Sequence, residues 1–307
     1  MTILVLQKIA MMFIILLLGV YCSKKHLIDH EMTVKLSTFL LQVINPVVIF
    51  VSYQLTYDAD LLHNLFVTMA LAAVGFALHI LAARLLIRQK NRPEYATERL
   101  SAVYGNCGFI GIPLANGLFG REGVFYMTAY LTIFHLYFWT HGVILMCGRT
   151  DRKEVVKSLL SPAIIGVLLG LVCFLARIRV HATALEALEL VGNMNTPLAM
   201  LVAGATLAES RIGDVFAQKG TYFISALKLL LMPAVMMALL WFFDIPGMVK
   251  ATLILASACP IGACCTMFAL RFKGDGKYAS LLFTASTVLA AVTIPLVIYL
   301  SELAGVL

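Results

Sequence analysis

Apolar runs of about 20 residues recur along this chain, and each is long enough to cross the roughly 30 Å of hydrocarbon in a bilayer. Ten can be read, at about 3–22, 33–54, 64–87, 98–118, 123–147, 159–177, 184–207, 220–243, 248–270 and 278–303. No polar stretch between them is long enough to fold by itself. The 307 residues therefore read as one polytopic, all-α integral membrane unit. Hydrophobic residues make up 61% of the chain and charged residues 13%, and the mean hydropathy is +0.94, which excludes an ordinary soluble domain.

The first run, Ile3–Cys22, lacks the basic region that precedes the apolar core of a signal peptide. Lys24 and Lys25 follow it instead, so it reads as a retained helix. Basic residues then set the orientation. With the N-terminus outside, seventeen Lys and Arg fall in inner connections, among them Arg88, Lys90, Arg92, Arg149, Arg152, Lys153, Lys157, Arg211, Lys219 and Lys273. Four fall in outer ones: Arg121, Arg177, Arg179 and Lys250. This bias is what the positive-inside rule selects, and it places both termini outside. The net charge of +7 is thus a topology signal, and nothing points to nucleic acid.

The helix breakers repeat at half the chain length. Pro46, Pro93 and Pro113 recur as Pro197, Pro246 and Pro260, at offsets of 151, 153 and 147 residues. Ile44-Asn45-Pro46 in the second run matches Asn195-Thr196-Pro197 in the seventh. Gly105-Asn106-Cys107-Gly108 through Pro113 in the fourth matches Ser257-Ala258-Cys259-Pro260 in the ninth. The division falls into a first five-helix repeat, 1–150, and a second, 151–307. Five crossings per repeat is an odd number, so the second must be inverted relative to the first.

Glycine loosens a helix, and proline removes a donor and clashes with the preceding turn. Helices four and nine are accordingly expected to be broken. Two broken helices meeting near the midplane would aim their half-helix N-termini, with partial positive charge and free N–H groups, at a common point. That arrangement suits an anion, and paired breaks in two halves point to a secondary transporter.

The stretch Tyr104–Leu114, its continuation through Leu118-Phe119-Gly120, and the aromatic helix ending at Trp139 and Gly142 resemble the auxin efflux carrier family. So do Asn45-Pro46, Thr196-Pro197-Leu198-Ala199 through Gly204, and Leu227-Lys228 through Pro233. The likeness covers nearly the whole chain, and the short connection between runs five and six is similar to the compact bacterial members. The resemblance implies a ten-helix fold similar to bile-acid/sodium symporters, with crossovers in helices four and nine. It also implies a homodimer with elevator-like alternating access, and a small organic anion as substrate: auxin in plants, malate or malonate in some bacterial members. A bacterial inner (cytoplasmic) membrane is the expected location. One departure is visible. Asn106 lies seven residues before Pro113, and no asparagine adjoins Pro260.

Polar side chains inside spans are costly and mark function. Lys228, near the middle of helix eight, must snorkel, pair or give up its charge. His79 is its counterpart in the first repeat. Either they neutralise substrate charge or relay a proton, or Lys228 braces the crossover through free carbonyls. The candidate substrate contacts are Asn45, Asn106, Cys107, Pro113, Asn116, His135, Trp139, Asn195, Ser257, Cys259, Pro260 and Thr266. Amides both donate and accept, so the asparagines either bind a carboxylate or cap freed backbone. His135 and Trp139, four apart, either line a cavity or form a packing stripe. No Asp or Glu is expected deep in helices three, four, eight, nine or ten, which disfavours a carboxylate-based cation site. Glu186 and Glu189 are expected to partner Arg177 and Arg179. No cofactor or metal is called for. Seven cysteines read as buried free thiols. The alternative is a membrane-embedded thiol enzyme or a sensor, with Cys107, Cys259, Cys264 and Cys265 as the only candidate nucleophiles. No Cys–His spacing supports it.

Overall fold

The computed structural model describes residues 1–88, 94–147, 161–209, 218–272 and 274–307. Pro93, the repeat boundary at 150/151 and the basic residues Lys90, Arg92, Arg149, Arg152, Lys153, Lys157, Arg211 and Lys273 lie outside them, as does the side chain of Lys219. Among the described residues the fold is helical, without a named strand. Seven helices are long and apolar enough to cross a membrane: α1 (Thr2–Lys24), α2 (His30–Ser52), α3 (Ala59–Leu86), α5 (Cys107–Met146), α7 (Ala182–Glu209), α8 (Gly220–Trp241) and α11 (Gly276–Leu303). Shorter helices complete the order: α4 (Tyr95–Val103), α6 (Pro162–Leu175), α9 (Gly247–Ala258) and α10 (Ala263–Arg271).

A straight helix of the 40 residues in α5 would be about 60 Å long, twice the hydrocarbon thickness. It does not run straight. Gly120 takes φ 61°, a left-handed conformation that suits a residue without Cβ, and parts the helix into two limbs. Residues 109 and 134 line one cavity, so the limbs fold back on each other. The fourth and fifth apolar runs of the sequence are these limbs, the fourth extended by α4.

Three of the prolines shape the helices in one way. The π-turns at Leu40–Ile44, Cys107–Gly111 and Leu227–Leu231 each end two residues before a proline: Pro46, Pro113 and Pro233. A proline cannot donate to the carbonyl a turn earlier and pushes its ring against that turn, so the helix widens there and continues. Elsewhere the starts are capped conventionally: Asp29 accepts from Met32 N at 2.7 Å, and Asp275 from Tyr278 N at 2.8 Å.

Lipid tails are as apolar as leucine, so helices in a membrane associate through close packing. The α1–α7 contact shows this. A Cβ at Gly19 would fall on the Leu201 carbonyl, and one at Gly204 on the Leu16 carbonyl, so the absence of side chains lets the backbones touch. α6 packs on α2, and α10 and α11 pack on each other. A buried aromatic cluster joins α3 to α5 and the segment before it, with Phe76 lying against Tyr104, Tyr130, Phe134 and Tyr137.

Candidate functional site at the crossing of two broken helices

Between α4 and α5 the chain is non-helical at 104–106, and between α9 and α10 at 259–262. These two breaks meet inside the molecule. Asn106 N donates to Pro260 O at 2.7 Å, Gly262 N donates to Tyr104 O at 3.1 Å, and Gly105 pairs antiparallel with Ile261. Backbone groups freed at this depth must find partners, and each break supplies them to the other. A Cβ at Gly105 would lie 3.1 Å from Lys228 Cε and 3.2 Å from Cys259 O, which is why the tightest point of the crossing carries glycine.

The surroundings hold the crossing in place. Lys228 is fully buried, and its Nζ donates to Ser257 O at 2.9 Å, on the last turn of α9. Ser286 Oγ on α11 accepts from Ile261 N at 3.0 Å. Tyr104 Oη donates to Tyr137 O at 2.9 Å. His79 Nε2 lies 2.9 Å from Met232 O, one turn along α8 from Lys228, while its Nδ1 has no partner. Lys228 thus braces a carbonyl of the second break, and His79 contacts the same helix.

On one side of the crossing lies a cavity of about 180 Å³. The first turns of α5 and α10 both reach it, through Asn106, Gly108 and Phe109 and through Ala263 and Cys264. Neither helix start has a side-chain cap, so two positive helix ends flank the space. The opposite wall is the face of α2 bearing Ser37, Leu41, Asn45 and Ile49, and the roof is Leu131, Phe134 and His135. Asn106 is 6% exposed, and its Nδ2 has no hydrogen-bond partner. Asn45 Oδ1 accepts from Asn195 Nδ2 at 2.5 Å, which pairs the two Asn-Pro regions and leaves Asn195 Oδ1 unpartnered. His135 Nδ1 is 2.7 Å from Leu131 O, an acceptor, so Nδ1 carries the proton and Nε2 is the remaining polar atom.

Of the candidate substrate contacts read from the sequence, Asn45, Asn106 and His135 come together on this cavity, as does the candidate thiol Cys264. The others sit elsewhere. Cys107 and Cys259 are buried and direct their thiols at Ala256 O and Leu255 O, both at 3.3 Å. Ser257 Oγ is turned back onto Ile254 O at 2.8 Å, and Pro260 contributes its carbonyl to the crossing. Pro113 is buried in α5 and shapes its first turn. Trp139 packs edge-on against Phe268 at 5.0 Å, away from the cavity, so the four-residue spacing from His135 does not make a shared lining. Asn116 lines a separate cleft with Arg121 and Glu189, and Thr266 is half-buried beside the cavity residue Met267. Asn195 reaches the cavity only through Asn45.

One expectation about charge is corrected, that of the Glu189 partner, and one carboxylate is buried at the edge of a span. Glu98, at the edge of its apolar run, is only 5% exposed and accepts from Tyr278 Oη at 3.2 Å, because α11 packs over α4. Glu189 pairs with Arg121, whereas Arg179 Nη2 donates to Thr56 Oγ1 at 2.7 Å and Arg177 stacks 4.7 Å over the Tyr57 ring. The sequence reading missed Ser37, Ile49 and Phe134. A usable signal was present on α2, where 37, 41, 45 and 49 recur every four residues and so continue the face that Asn45 marks.

Comparison with known proteins gives the family. The sequence model of the family described as "membrane transport protein" matches residues 4–298. The chain belongs to that family, the auxin efflux carriers. It is a membrane transporter and not an enzyme. An uncharacterized transporter of Methanothermobacter thermautotrophicus is 24% identical over 296 residues, covering 94% of this chain and 96% of that protein. For this transporter the breaks at 104–106 and 259–262 are the parts of the fold that an ordinary membrane helix bundle would not need.

Proposed function

We propose that this transporter carries a small organic anion, a mono- or dicarboxylate, and that the anion binds in the cavity beside the crossing. The observation that carries this reading is the unpartnered Nδ2 of Asn106, buried between two uncapped helix starts. A carboxylate there accepts from the amide and from first-turn N–H groups, and the two helix ends offset its charge without a buried cation in direct contact. Phe109, Phe134 and Leu131 give the body of such a ligand an apolar seat, and His135 Nε2 gives it a second polar contact.

The same reading arranges the helices as ten crossings in two inverted repeats, α4 with the first limb of α5 forming the fourth and α9 with α10 the ninth. The body containing the crossing moves against α1, α2, α6 and α7 in an elevator-like cycle, within a homodimer in a bacterial inner membrane with both termini outside. The positive-inside count and the family support this arrangement.

A thermal-shift screen of purified protein against malate, malonate and indole-3-acetate tests the substrate class, since a ligand of the folded state raises the melting temperature by mass action. A shift whose midpoint concentration rises at least about tenfold in Asn106→Ala is the expected result. Shifts with neutral or cationic solutes alone would discard the organic-anion reading.

A further inference from the structure

Connections at the end of the molecule where α2 and α6 finish and α7 starts are poor in basic residues. Three of the four present there, Arg121, Arg177 and Arg179, nevertheless share one rim. A cleft of about 450 Å³ is lined by Gln54, Thr56, Arg121, Arg179 and Leu185, and Arg179 also lines an adjoining one of about 250 Å³ with Arg177. Placing arginines here runs against the bias that empties this side of positive charge, so their convergence asks for a cause.

The charges at the rim are unequal. Arg121 is balanced by Glu189. Arg179 donates only to the neutral Thr56 hydroxyl and Arg177 covers a tyrosine ring; among the described residues neither has a carboxylate in ion-pair range. Gln54 completes the set. Its Oε1 accepts from Val180 N at 3.1 Å, and its Nε2, buried at the cleft, has no partner. Ala182, the first residue of α7, lines the same cleft, and its N-cap His181 supplies no side-chain bond. Arg179, the Gln54 amide and the first turn of α7 are all donors, and an oxyanion is the partner they have in common.

We propose that this rim is a second anion site, distinct from the crossing, that takes a carboxylate or phosphate oxyanion from a free solute or a lipid headgroup. It stands on its own residues and holds whether or not the crossing binds the transported anion.

Malonate titration by thermal shift in phosphatidylcholine nanodiscs tests it, carried out in the Asn106→Ala background so that binding at the crossing is weakened and the Arg179-dependent part of the shift stands out. A saturable shift is expected there, weakened about tenfold by adding Arg179→Gln, as losing a charge-assisted hydrogen bond implies, and largely kept by Arg179→Lys. If malonate is silent but phosphatidylglycerol nanodiscs raise the melting temperature in an Arg179-dependent way, the site holds and its occupant is a headgroup. Responses to both probes that ignore Arg179→Gln, or no response to either, overturn the proposal. Arg179 is exposed, so its replacement leaves the fold intact.

Discussion

The break at 104–106 and the break at 259–262 are alike in backbone and unlike in side chains. Each interrupts a helix, each gives one N–H and one carbonyl to the other, and each precedes an uncapped helix start. At the second break the remaining groups are taken up: Ser286 accepts from Ile261 N, Lys228 donates to Ser257 O, and the Cys259 thiol turns to Leu255 O. At the first, Asn106 keeps a donor without a partner on a cavity. The second break is therefore braced, and the first, under the proposed function, is the one that holds the anion. A lysine that satisfies a carbonyl at one break and an asparagine left open at the other are the chemical marks of that division.

Four substitutions separate the roles of the two breaks. Lys228→Met has the largest expected effect, because it leaves Ser257 O buried without a donor. We expect a loss of roughly 1–3 kcal/mol, read as a lower melting temperature, with uptake into proteoliposomes abolished. Full stability and transport in that variant would end the bracing role. Asn106→Ala is expected to do the reverse. Stability should change by less than about 1 kcal/mol, since no internal bond is lost, while affinity for the transported anion falls about tenfold to a hundredfold. Ser286→Ala removes one neutral hydrogen bond. It should cost about 1 kcal/mol of stability and leave affinity within about twofold, as anion titration would show. Trp139→Phe keeps an aromatic ring against Phe268 and should change neither quantity beyond about twofold. An affinity loss there equal to that of Asn106→Ala would return Trp139 to the cavity.

Much of this was readable from the sequence because it depends on local chemistry. Apolar length gave the membrane-crossing stretches, and the spacing of prolines with the glycines beside Asn106 located both breaks; the widened turns before Pro46, Pro113 and Pro233 were not anticipated. Asn106 was legible because a polar amide beside glycines in a membrane run has few other uses. What escaped depends on contacts between distant segments. The register that sets Gly105 against Ile261 is a non-local pairing with no sequence mark. The burial of Glu98 depends on α11 packing over α4, and Arg121 took Glu189 because the kink at Gly120 brings it to α7. The helical spacing of His135 and Trp139 left lining and packing open, and contacts from α10 divide them: Phe268 takes the indole, while His135 reaches the cavity.

Counterflow tests the division of labour most directly. Proteoliposomes preloaded with unlabelled anion, chosen as the best hit of the carboxylate screen, would be given the labelled compound below saturation. Exchange by the parent protein and by Ser286→Ala should be comparable, and exchange by Asn106→Ala should fall by at least about tenfold. Equal exchange by Asn106→Ala and the parent protein would contradict the account, because the open donor at the first break would then have no part in holding the cargo.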